Sequence, residues 1–225
     1  MLSLDFIHGM EDFKEDPQET SPKYLGSTDV VKLTVECVDA TGSARKYCPV
    51  FCDVFEDKSR KFTAYLTDAV KDVDQYVDLI DILMTAKETD SVDIYIDSPG
   101  GLIAAGGLIA SAVDYSKAKV RTIARGLCAS AAALIHSAAK PGNACVTPFA
   151  MMLYHMSSHG DSGTSTIVEA RAHNQVKYVN ETLLNKALAD GHITQDEFAR
   201  IQTGEDIIIS GEEWLRRTSQ GVKSE

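Results

Sequence analysis

No run of apolar residues in this 225-residue chain reaches the roughly 18 that a membrane-spanning helix needs, so no bilayer partner is expected. The first twenty residues, MLSLDFIHGMEDFKEDPQET, lack a basic stretch leading into an apolar one, and no secretory signal is predicted. Basic residues are in deficit: 22 Lys and Arg stand against 33 Asp and Glu, for a net charge of −11. Such a surface repels phosphate backbones and anionic lipid, which excludes nucleic acid as an expected partner. Cysteine is sparse and odd in number, at Cys37, Cys48, Cys52, Cys128 and Cys145. That pattern reads as free thiols in a reducing, cytoplasmic setting. Cys48 and Cys52 find no second Cys or His pair at matching spacing, so neither a metal site nor a cofactor is expected. Internal repeats and low-complexity segments are missing too.

What is present divides into two parts. Residues 1–58 read as an N-terminal arm with a hairpin of unassigned role. In it VVKLTVECV alternates as a strand, and CPVFCDVFED is its candidate partner. Residues 59–225 read as one domain in which strands alternate with helices. FTAYL is a strand, and VDQYVDLIDILMTA places Val73, Val77, Ile80, Leu83 and Met84 on one helical face. VDIYID, KVRTIA, MMLYH and a buried IIIS are further strands. Between them lie a helix rich in small residues, GLIAAGGLIASAVDYS, and the apolar helix after GLCAS. A long helix is predicted from Thr164 to Asp190, and Thr194-x-x-Glu197 and Ser210-x-x-Glu213 open two short ones as capping boxes. Alternation of this kind implies an α/β fold with a largely parallel sheet.

Active groups in such sheets gather beyond the carboxyl ends of the strands. Three places qualify: SPGG after VDIYID, GLCAS after KVRTIA, and His155 after MMLY. Ser130 sits at a strand-to-helix turn, where a hydroxyl is held out of the sheet beside free N–H groups that could receive an oxyanion. Taken alone, it reads first as a helix N-cap. Gly100 and Gly101 permit backbone conformations closed to other residues, or simply make a turn. His155 reads as a base or as a structural histidine. Asp206, before Ile207, could fix an imidazole tautomer, with Glu205 as an adjacent competitor.

The order of these motifs resembles the Clp protease proteolytic subunit family. IDSPGG, then Gly-x-x-Ala-Ser-Ala, then MMLYH with a Gly-bearing loop, then ED-x3-S-x-x-E follow the family's order over roughly residues 60 to 222. Separations are similar as well: 29 residues from Gly101 to Ser130, 25 from Ser130 to His155 and 51 from His155 to Asp206. The resemblance implies a Clp-protease/crotonase-like fold with repeated β-β-α units and a projecting handle helix. It implies Ser130 as nucleophile, His155 as general base, Asp206 as orienting carboxylate, and the N–H groups of Gly101 and Ala131 as oxyanion hole. Substrate contacts would come from Gly100 and from Ser158, His159, Gly160, Asp161, Ser162 and Gly163. It further implies polypeptide substrates, a homo-oligomeric ring of seven or a double ring, and an AAA+ unfoldase partner.

Two departures stand out. Met156-Ser157 replaces the family's Gln-Pro, and the first 55 or so residues do not resemble its short axial segment. The leading expectation is therefore a compartmentalised serine endopeptidase. Alternatives are a self-sufficient phage-type processing peptidase, a crotonase-like acyl-CoA enzyme, and an inactive structural ring subunit.

Overall fold

The computed structural model describes residues 24–28, 48–156 and 166–221. Alternation builds the first hairpin. In β3 (Arg60–Leu66), Phe62, Ala64 and Leu66 are buried, while Lys61, Thr63 and Tyr65 face the other way. Its antiparallel partner is β2 (Val50–Phe55), with Cys52 opposite Phe62, and β1 (Tyr24–Thr28) pairs antiparallel to β2. CPVFCDVFED is thus a strand, joined to FTAYL. The VVKLTVECV stretch lies outside the described residues. β2 falls among the first 58 residues that the sequence sets apart, yet it is hydrogen-bonded into the main sheet.

From β3 the sheet continues in parallel through β4 (Ser91–Ser98) and β5 (Lys119–Ala129). The far edge of β5 carries two parallel strands in succession. β6 (Ala144–Val146) pairs with Thr122–Ala124, and β7 (Met151–Tyr154) pairs with Leu127–Ala129. β8 (Ile207–Ser210) closes the order β1-β2-β3-β4-β5-β7-β8, antiparallel to β7. The sheet is therefore parallel at its centre and antiparallel at both ends. IIIS was expected as a buried strand. Ile207 and Ile209 are buried but Ile208 is exposed, because an antiparallel end strand covers the core with one face only.

Among the described residues, six α-helices accompany the strands. α1 (Val77–Thr85) follows a 3-10 turn at Val73–Tyr76, and this turn changes the predicted face. Leu79 and Leu83 are fully buried, whereas Val77 and Met84 are exposed. A turn of three residues advances the chain differently from one of 3.6, so of the five predicted positions Leu83 is buried and Val73 and Ile80 pack partly buried against the core, while Val77 and Met84 turn out of it. α2 (Ile103–Tyr115) packs on α3 (Ala131–Ser137) closely enough that a Cβ built on Gly106 would lie 3.0 Å from that of Ala131. The small-residue composition of both helices allows this approach.

α4 (Thr166–Ala189) spans about 36 Å at 1.5 Å per residue. Asn180, Leu184 and Ala187 are buried against the body, while Tyr178 is 70% exposed. α5 (Gln195–Gln202) begins with a complete capping box, in which Thr194 and Glu197 exchange side-chain-to-backbone bonds. α6 (Gly211–Gly221) is capped by the Ser210 hydroxyl, which accepts from the Glu213 N–H at 3.2 Å. No helix among the described residues is long and apolar enough to cross a membrane.

Candidate active site

Ser130 joins β5 to α3 with φ 56° and ψ −126°, one of two non-glycine residues with positive φ among those described. Conformations of this sort cost on the order of 1–3 kcal/mol and persist only where surrounding bonds hold them. Here the Ser130 N–H donates to the Leu153 carbonyl at 2.9 Å, and its own carbonyl accepts from Leu134 at 3.1 Å. The strained turn has a consequence for the side chain. Ser130 occupies the N-cap position without making a capping hydrogen bond, so its hydroxyl is free of the helix. It lies instead 2.7 Å from His155 Nε2.

His155 follows β7, whose neighbour on one side is β5, the strand that ends one residue before Ser130. That pairing brings residues 25 apart in sequence into hydrogen-bond contact. On its other side β7 pairs with β8, which starts just after Asp206. Asp206 Oδ1 stands 3.5 Å from His155 Nδ1, beyond an ordinary hydrogen bond, and its side chain is 61% exposed. The neighbouring Glu205 turns away and takes Arg200 in a two-point ion pair. Arg200 holds the Glu205 carboxyl below its usual range.

The SPGG turn lies against the Ser130 turn. Gly100 has φ 84°, and a Cβ built there would fall 2.6 Å from Ser130 Cβ and 2.9 Å from the Ala131 nitrogen. Only glycine fits both the angle and the space. Gly101, at φ 150°, forms a parallel bridge with Val70. That bridge is reinforced by Val70 N–H to the Gly100 carbonyl and Leu102 N–H to the Val70 carbonyl, both 2.8 Å. The buried Ser98 hydroxyl completes the clamp. It donates to the Asp68 carbonyl at 2.6 Å and accepts from the Gly100 N–H at 3.2 Å.

Sequence reasoning missed Ser98, because its partner lies 30 residues away. It missed Asn180 for a similar reason. This buried α4 side chain donates to Met156 Sδ at 3.3 Å and so ties the residue after His155 to the long helix. Gly100, Gly101, Ser130, Ala131, His155 and Asp206 all converge on this region. Ser158, His159, Gly160, Asp161, Ser162 and Gly163 lie outside the described residues.

Behind α3 lies a polar cluster. Ser137 Oγ meets the Tyr154 hydroxyl at 3.0 Å and His192 Nδ1 at 3.1 Å, and His136 Nε2 meets the Cys145 carbonyl at 2.9 Å. Trp214 packs against both histidine rings. Burial pushes His136 down to about 3 and His192 down to about 4, so both are neutral at pH 7. Cys128, two residues before Ser130, is fully buried and burial pushes its thiol up. It offers no competing nucleophile.

A strand-ordered sheet carrying a serine and a histidine in contact at its carboxyl edge has the architecture of an α/β hydrolytic enzyme. Comparison with known proteins makes the family definite. The Clp protease family matches residues 50–216. One relative, the ATP-dependent Clp protease proteolytic subunit 3 of Rhizobium etli, is 33% identical over 132 residues, covering 59% of this chain and 67% of the relative. The chain belongs to the Clp protease family.

Proposed function

We propose that this chain is a serine endopeptidase in which Ser130 attacks the peptide carbonyl and His155 takes its proton. The observation that carries the reading is the 2.7 Å contact between Ser130 Oγ and His155 Nε2, made by a hydroxyl that does not cap its helix. As the bond to the carbonyl carbon forms, the proton passes to Nε2 and negative charge develops on the carbonyl oxygen. The N–H groups of Gly101 and Ala131 are the donors assigned to that oxygen, supported by the close packing of the two turns. His155 then returns the proton to the leaving amine, and water releases the acyl group by the same steps in reverse order. Asp206 orients His155 and steadies its charged form.

The same reading extends to the assembly. Polypeptide substrates lie along Gly100 and the 158–163 segment. The chain works as a cytoplasmic homo-oligomeric ring of seven, single or double, fed by an AAA+ unfoldase. The exposed Tyr178 on a helix longer than one domain requires, and the exposed Phe149 and Ile208, support covering by a second copy. Hydrolysis of a library of fluorogenic peptide amides tests the chemistry. Wild-type protein should cleave a subset, and Ser130→Ala should lose at least a thousandfold with unchanged melting temperature. Turnover within tenfold of wild type would refute the nucleophile.

A further inference from the structure

β4 and β5 run in register up to Ile96 opposite Ala124 and regain register at Ser98 opposite Cys128. In between, one residue of β4, Asp97, faces three of β5: Arg125, Gly126 and Leu127. Such a bulge leaves backbone groups without ladder partners and bends the strand. Here the gap is closed by a side chain. Asp97 Oδ1 accepts from the Leu127 N–H at 2.9 Å. The carboxyl sits directly over Gly126, where a built Cβ would lie 2.5 Å from Oδ1, and the nearest atoms to that Cβ all belong to Asp97. Arg125 is meanwhile laid over the Tyr95 ring at 3.7 Å, which holds the other end of the bulge to β4.

We infer that Asp97 is a positioning residue whose bond to Leu127 sets Ser130 against the Gly100–Gly101 turn. The inference rests on the proposed role of Ser130. Asp97 lies three residues before Gly100, and Leu127 lies three before Ser130. A bond between 97 and 127 therefore fixes how far the two turns advance past each other. β7 begins its pairing with β5 at Leu127, so the same point also sets the line from Ser130 to His155. Displacement of reacting groups by about 1 Å can cost on the order of a hundredfold in rate. Ser98 is Asp97's neighbour with the opposite facing, and it clamps the glycine turn itself. Asp97 governs the other strand.

The test uses three single variants and one double variant of the 225-residue chain. Two readouts are taken: the rate at which a fluorophosphonate modifies Ser130, and amide exchange at Leu127. Asp97→Ala should slow modification at least tenfold and raise Leu127 exchange, with unchanged melting temperature. Asp97→Asn keeps the accepting oxygen and should stay within threefold of wild type on both readouts. Gly126→Ala should evict the carboxyl and reproduce the Asp97→Ala defect. The double variant should be no worse than Gly126→Ala alone, because both changes break one bond. An Asn variant as slow as the Ala variant would overturn the inference, as would Leu127 exchange equal in wild type and Asp97→Ala. Wild-type protein unmodified at Ser130 would defeat the nucleophile itself. Leu127 exchange would then still judge whether Asp97 pins the bulge.

Discussion

Glu205 and Asp206 are adjacent in the chain and turn their carboxylates to different partners, Glu205 to Arg200 and Asp206 to His155 Nδ1. The backbone before β8 thus separates two acids that composition alone makes equivalent. Asp206→Asn should lower kcat/KM while Glu205→Gln should leave it within about threefold, measured on the best peptide of the library. A buried, tightly bonded orienting acid is worth about 10⁴ in kcat when changed to its amide. At 3.5 Å and 61% exposure Asp206 should matter less, with a loss of roughly ten- to a hundredfold. A larger loss from Glu205→Gln would reverse the assignment.

Gly100 and Ser98 make a graded pair. Gly100→Ala would force a Cβ against Ser130 at a left-handed φ, so peptide hydrolysis should fall at least a hundredfold. Ser98→Ala leaves the glycines intact but frees the Gly100 N–H and the Asp68 carbonyl from the shared hydroxyl. Its loss should be smaller, about tenfold, in kcat rather than KM. Equal activity of wild type and Gly100→Ala would show that the turn does not abut the chemistry.

The buried histidines predict how stability depends on pH. His136 and His192 are held at about 3 and about 4, below the 6.5 of an unfolded chain. Between those values and 6.5 the unfolded chain binds protons that the folded one does not. Stability from these groups is therefore complete above about pH 7 and falls as pH drops, by up to about 1.4 kcal/mol per unit for each histidine. His192→Asn should flatten the slope between pH 6.5 and 4.5 by close to one proton in urea titrations. A slope identical to wild type would mean that His192 is charged or exposed in the fold.

Assembly should register at Tyr178. The side chain is 70% exposed on α4, so Tyr178→Asp should hardly change the stability of a single chain. If a second copy covers it, the substitution should lower the sedimentation coefficient at micromolar concentration and reduce activity with it. A fully active wild-type monomer would contradict both the ring and the coupling.

Much of this was legible in the sequence. SPGG, GLCAS and MMLYH can each be placed at a strand end because glycines, small residues and a strand-terminal histidine are local signals, but each also has a plain structural reading and only their order, compared with a family, singled them out. The sheet follows from strand–helix alternation. Long-range relations were not legible. Nothing near Asp97 indicates that it will bond Leu127 30 residues on, and nothing near Ser98 points to Asp68. The partner of CPVFCDVFED depended on which strand the chain next offers. Val77 and Met84 were misplaced on the buried face because a 3-10 turn looks in sequence like the first turn of the helix itself. The N-cap reading of Ser130 could be set aside only once ψ and the hydroxyl's direction were known.

The central claim is that the Ser130 hydroxyl is activated by His155, and the most direct measurement is the site of fluorophosphonate attachment, read by peptide mass spectrometry. The account predicts a single adduct on the peptide containing Ser130, formed at least a hundredfold more slowly in His155→Ala. An adduct elsewhere, none at all, or one that forms at the same rate without His155 would contradict it.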